Sequence, residues 1–110
     1  MSKYMVNNQA EDSYVFMTEG IRRNTLVNGD NTVICKFKLD GGTELPLHSH
    51  PYEQTGYLLS GKLQFTIDGN KHEVNTGDSW CIKTDVEHSA NVVEDTVLIE
   101  VFSPVREDYL

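Results

Sequence analysis

The sequence predicts an all-β chain, a sandwich or barrel of antiparallel strands, and three observations carry the prediction. Short segments of alternating or uniformly apolar character recur along it, and turns rich in glycine and asparagine separate them. Nowhere do apolar residues keep helical spacing for three turns.

Taken in order, the expected strands begin with Ile21 to Val27, closed by Asn28-Gly-Asp-Asn31, and Thr32 to Leu39, closed by Asp40-Gly-Gly42. These separators hold residues that tolerate positive φ or bond their own backbone. Gly56 to Leu59 follows and stops at Ser60-Gly61; Leu63 to Asp68 then meets Asp68-Gly-Asn70. Asp68-Gly69 between two alternating runs is the strongest hairpin signal in the chain, and Gly61 and Gly69 are both assigned to turns. Lys71 to Val74, the turn Asn75-Thr-Gly77, Ser79 to Ile82 and finally Thr96 to Phe102 complete the series.

A chain of 110 residues suits one domain, large enough to bury about 65% of the surface that its unfolded form exposes. Residues 1–12 are polar and are expected to form an arm that orders by packing on a neighbour; the domain proper covers 13–110. No run of about 18 apolar residues exists to span a bilayer. The start, MSKYMVNNQAEDSY, lacks the apolar stretch of a secretory signal, so the chain reads as soluble and cytoplasmic. Cys35 and Cys81 are accordingly expected to be reduced and buried in strands. The net charge of −8 argues against a nucleic-acid surface and against anionic lipid. An anionic ligand would need a local positive centre, such as a metal or an arginine.

The run His48-Ser-His50-Pro-Tyr-Glu-Gln54 supplies a candidate for that centre. Residues two apart on a strand project the same way, so His48 and His50 aim two imidazoles at one point. Gln54, on the following turn or strand, and His88, near the end of a later one, complete a four-ligand set. Nitrogen and oxygen donors of this kind suit zinc, nickel, manganese or iron. His72 stands apart and reads as an ordinary surface histidine. Glu53 competes with Gln54, but neighbours on a strand face opposite ways.

These spacings carry a resemblance. Gly42, five residues, His48-x-His50, three residues, Gln54, six residues and Gly61 resemble the first cupin motif. Gly77-Asp-Ser-Trp-Cys-Ile with Val86-Glu-His88 and Asn91 resembles the second, fifteen residues later, as in small single-domain microbial cupins. The resemblance implies a jelly-roll antiparallel β-barrel and selects Gln54 over Glu53. Two positions depart from the pattern: Gln54 stands where glutamate is usual, and Lys83-Thr84-Asp85 replaces the usual proline region.

Within the cupins, HSHPYEQ together with the C-terminal VFSPVREDYL resembles the pectin-degradation KdgF proteins. That resemblance implies an enzyme converting a cyclic 4,5-unsaturated uronate, a small anionic sugar acid, into its linear 5-keto form. It implies a divalent metal on three histidines and a glutamine, and pocket residues at Glu100, Phe102 and Arg106. A carboxylate lengthened by one methylene replaces the family's aspartate at 100. It also implies a homodimer paired through sheet edges.

Alternation agrees on one point, placing Glu100 and Phe102 on one face of the last strand and Val97, Ile99 and Val101 on the other. Glu100 reads either as a rim residue reaching water or as a general acid/base. Arg106 reads either as a solvated partner of Glu107 and Asp108 or as a planar fork gripping a substrate carboxylate. Tyr52, Tyr57, Phe65 and Trp80 read either as lining of a sugar pocket or as barrel filling, and filling, the commoner fate of aromatics on alternating strands, is the expectation. Neutral donors leave an ion its full charge, which favours polarising a sugar oxygen over oxygen-activating iron chemistry. Two other functions stay open: a non-catalytic module that binds a small acid, and a metal-dependent dioxygenase.

Overall fold

A computed structural model describes residues 3–8 and 13–110. The expected arm therefore falls within it only at residues 3–8, which are exposed and without regular structure. Asn7 Nδ2 ties this segment down by donating to the Leu26 carbonyl at 2.7 Å.

The described residues form eight strands: β1 Val15–Thr18, β2 Ile21–Asn28, β3 Val33–Leu39, β4 Glu44–His48, β5 Glu53–Ile67, β6 Asn70–Asn75, β7 Ser79–Ile82 and β8 His88–Ser103. A short 3-10 turn, Glu107–Tyr109, ends the chain. All pairings are antiparallel, with β3, β8, β5 and β6 as successive neighbours. The Asp68-Gly69 hairpin forms as expected, Ile67 facing Asn70 across a two-residue loop in which both residues have positive φ.

Four expectations need correction. β1 and β4 were not anticipated, and β4 contains Pro46, which ordinarily argues against a strand and is tolerated at a sheet edge. Ser60-Gly61 does not separate two strands. It lies inside β5, where the register against β8 shifts three times between Leu58 and Leu63. β8 likewise runs back from Thr96 to His88, which therefore opens its strand instead of closing one.

The bulged stretch is a corner. Before it, β5 pairs with β7 and the second half of β8; after it, with β6 and the first half. Bulges bend the strand that carries them, so one long ladder contributes to two sheets, joined by β1, β2 and β3 on one side and by β4 on the other. A straight strand rising about 3.3 Å per residue would put the ends of β8 more than about 40 Å apart. Instead His88 and Phe102 both contact the ring of His50, at centroid distances of 5.0 and 6.2 Å.

Gly61 sits in that corner with φ of 109°. A Cβ there would run into the Asp95 carbonyl oxygen and the Thr96 side chain. Gly61→Ala is therefore expected to destabilise the fold by roughly 1–3 kcal/mol, from strained φ and forced displacement. A lowered urea midpoint at unchanged slope is the measurement that checks it.

Between the two sheets lies the core, drawn from the inward alternation of β3 (Val33, Cys35, Phe37, Leu39), β5 (Leu58, Leu63, Phe65) and β8 (Ala90, Val92, Leu98, Phe102). Both cysteines are free thiols, but only Cys35 is buried; Cys81 faces solvent on short β7. Tyr57 is also exposed, and Tyr52 and Trp80 are only partly covered, so of the four aromatics assigned to the interior Phe65 alone is buried. No helix among the described residues is long and apolar enough to cross a membrane.

Candidate metal centre

His48 ends β4, His50 follows it in the connection to β5, and His88 opens β8 directly across from His48. The alternation expected to align the first two thus covers only His48, since the strand stops there and His50 lies outside it, ahead of the bend at Pro51 and Tyr52. Their ligand atoms all lie within 4.8 Å of one another, close enough to share one ion. The backbone sets the tautomer of each ring. Nδ1 of His48 faces the Pro46 carbonyl at 2.8 Å, that of His50 the Tyr52 carbonyl at 3.1 Å, and that of His88 the Val86 carbonyl at 2.9 Å. A carbonyl can only accept, so each Nδ1 carries its proton and each Nε2 presents a lone pair. Such outer hydrogen bonds are characteristic of metal-binding imidazoles. Burial further lowers the pKa of His50 and His88, with Arg106 adding to the effect at His50, so both rings favour the neutral, ligating form.

Gln54, the second residue of β5, is 5% exposed, whereas Glu53 faces solvent. Its Nε2 donates to Glu100 Oε2 at 2.5 Å, which leaves the amide oxygen free to accept or to ligate. Trp80 Nε1 donates to the same carboxylate oxygen at 3.0 Å. Glu100 is buried at 9% exposure, and burial pushes its carboxyl up to about 7 against the opposing pull of these two donors. It is not a rim residue.

All seven residues singled out from the sequence, the three histidines with Gln54, Glu100, Phe102 and Arg106, line one cavity of about 110 Å³. Since one water needs about 10–15 Å³ by this measure, the space has room for a small molecule. Arg106 keeps the Asp108 partner of its surface reading but is not solvated. It pairs with Asp108 through Nε at 3.3 Å and Nη2 at 2.9 Å, yet its side chain is only 14% exposed. Its guanidinium lies 3.8 Å from the Tyr109 ring centroid, 5.0 Å from that of Tyr52 and 5.1 Å from that of Phe102. Asp108 is held below its ordinary carboxyl range by this pairing.

Two contributors escaped the sequence reading. Tyr109 reaches the cavity from the C-terminal turn, anchored by Thr25 Oγ1 at its carbonyl and by Arg23 stacked 4.4 Å from its ring centroid. Trp80, expected as filling, does pack against the core and is also a polar partner of Glu100. Nothing in its local pattern signals this, because the contact depends on register across three strands.

The described family of cupin domains matches residues 35–102 of the chain. The pectin degradation protein KdgF of Dickeya dadantii is 28% identical over 113 aligned residues covering both chains in full. Among solved structures, KdgF from Halomonas sp. is similar at a TM-score of 0.86 and 27% identity, over 91% of this chain and 94% of that one. An RmlC-like cupin from Shewanella frigidimarina gives 0.86 and 27% over 100% of this chain and 97% of its own.

Proposed function

Because the chain belongs to the cupin domain family, we propose that it is a metal-dependent enzyme opening a cyclic 4,5-unsaturated uronic acid to the linear 5-keto-4-deoxyuronate. The observation that carries this reading is the convergence, in one small cavity, of a three-histidine cluster, a neutral amide, a buried carboxylate and a stacked guanidinium. Similarity to the KdgF proteins along the whole chain supports the choice of substrate.

His48, His50, His88 and Gln54 hold one divalent ion in this reading. When bound, such an ion supplies Lewis acidity toward a sugar oxygen. The overall change is an isomerisation: the anomeric hydroxyl loses a proton, the bond from the anomeric carbon to the ring oxygen breaks to leave an aldehyde and an enolate, and carbon 4 gains a proton as the enolate becomes a ketone. One proton leaves and one returns, so a single carboxyl can carry it. Glu100 is that group, since it lines the cavity, both donors fall on Oε2, and no hydrogen bond from the described residues falls on Oε1.

Arg106 orients the substrate. Asp108 occupies one edge of its guanidinium and the aromatic rings fix its plane, leaving the other donors for the substrate carboxylate. Arg106→Ala is expected to raise KM on the order of 10–100-fold, the worth of a charge-assisted hydrogen bond. Arg106→Lys is expected to recover only part of this, because an ammonium cannot grip two oxygens in one plane. Steady-state kinetics on both variants provide the check.

The reading as a whole is tested by following loss of enol-ether absorbance from an unsaturated monouronate, with metal content measured in parallel. Acceleration over the uncatalysed rate that vanishes in His48→Ala supports it. A metal-loaded protein working at the background rate rejects it in favour of a small-acid-binding module.

A further inference from the structure

The cavity's hydrogen bonds continue outward to a residue that the proposed mechanism leaves unused. Trp80 on β7, Gly56 on β5 and Glu100 on β8 are direct cross-strand partners in one row, Gly56 pairing with both of the others. Directly opposed residues project to the same face, so the indole and the carboxyl are separated by the width of the strand that carries Gly56. Only a residue without a side chain lets them meet. A Cβ on Gly56 would fall onto Cε2 and Cζ2 of the indole, which lies across this position. Phe65 packs edge-on against the ring at a centroid distance of 5.1 Å. The indole N–H thereby reaches Glu100 Oε2 at 3.0 Å, on the oxygen that also accepts from Gln54.

We propose that Trp80 is a positioning residue of this site, seated over Gly56, whose indole N–H fixes Glu100 so that Oε1 faces the cavity and the Gln54 amide keeps its oxygen toward the histidines. The geometry leaves the carboxylate little alternative. An unanchored Glu100 could rotate about its last torsion and exchange its two oxygens, or swing away from Gln54. The amide of Gln54 would then be free to turn its NH2 group toward the histidines, and an NH2 group cannot ligate. The indole N–H can only donate and the carboxylate oxygen accepts both bonds, so the indole holds in place the acceptor on which the Gln54 amide is anchored. Both consequences touch the same centre: the acid/base would be less well aimed, and the fourth ligand less well held. The part concerning Oε1 rests on the role proposed above for Glu100; the part concerning Gln54 rests on the metal site alone.

Trp80 is the chain's only tryptophan, which permits an unusually narrow test. Expression in a tryptophan auxotroph supplied with benzothienylalanine replaces one N–H by sulfur and leaves the ring shape intact. This protein, Trp80→Phe and the wild type are compared in zinc affinity by chelator competition and in kcat and KM on the unsaturated monouronate. Loss of the N–H is expected to weaken zinc binding about tenfold, the lower end for outer-shell partners, and to lower kcat about tenfold with KM within about twofold. The analogue and the phenylalanine variant are expected to agree.

If the analogue matches the wild type in both readouts, the indole acts only by its shape and the inference is overturned, whatever Trp80→Phe does. A wild type that does not turn over the uronate rejects the proposed reaction but not this inference. Zinc affinity then decides, unchanged affinity in the analogue overturning it and a roughly tenfold loss upholding it.

Discussion

Glu100→Gln is expected to keep its metal and to lose turnover by roughly 10²–10⁴-fold, the range attributed to a positioned acid or base. Glutamine suits the purpose because its amide oxygen can take the place of Oε2, accepting from Gln54 and Trp80 as the carboxylate does. Only the capacity to carry a proton is removed. Metal analysis and a thermal melt separate this outcome from damage: bound metal is expected to match the wild type and Tm to equal or exceed it, since exchanging a buried carboxyl for an amide removes a costly desolvated charge. Undiminished activity would remove Glu100 from the mechanism.

A second large effect is expected from His88→Ala. His88 is 4% exposed, its ring stands 4.2 Å from that of His48 and 5.0 Å from that of His50, and the Val86 carbonyl fixes its tautomer. It is thus the best-buried of the three imidazoles. Removing a direct ligand should weaken metal binding by more than roughly 100-fold, since loss of a mere outer partner costs 10–100-fold. Activity should fall with it. Calorimetric titration of metal-free protein with zinc measures the affinity. A binding constant within a factor of ten of the wild type would show that His88 is not a ligand.

Much of this site was legible in the sequence because its chemistry rests on residue type at short range. His48 and His50 declare themselves by proximity, whereas Gln54 over Glu53 and the pair Glu100 and Phe102 come from the cupin and KdgF resemblances, alternation adding only that Glu100 and Phe102 share a face. The strands flanked by clear turns, β2, β3, β6 and β7, were legible for the same reason. What escaped depends on partners distant along the chain. Gly61 has the look of a turn residue, and its positive φ is real, but only pairing with β8 decides that it bends a strand instead of ending one. Pro46 masks β4, whose place at an edge is a property of the sheet. Trp80 is apolar by composition and polar by address.

The folded-over ladder of β5 and β8 has a bearing on how the protein acquires its site. Ile67 and His88 are the ladder's nearest partners along the chain, Glu53 and Ser103 its most remote. Closing remote contacts costs more chain entropy than closing near ones, and dependence on them slows folding. Pairing is thus expected to start near the Asp68-Gly69 end and run outward past the corner, reaching Glu100 and Gln54 late. A half-zipped chain would own His88 and lack the acid and the amide, so the site is expected to arrive in a single late event, with no partly assembled cavity along the way.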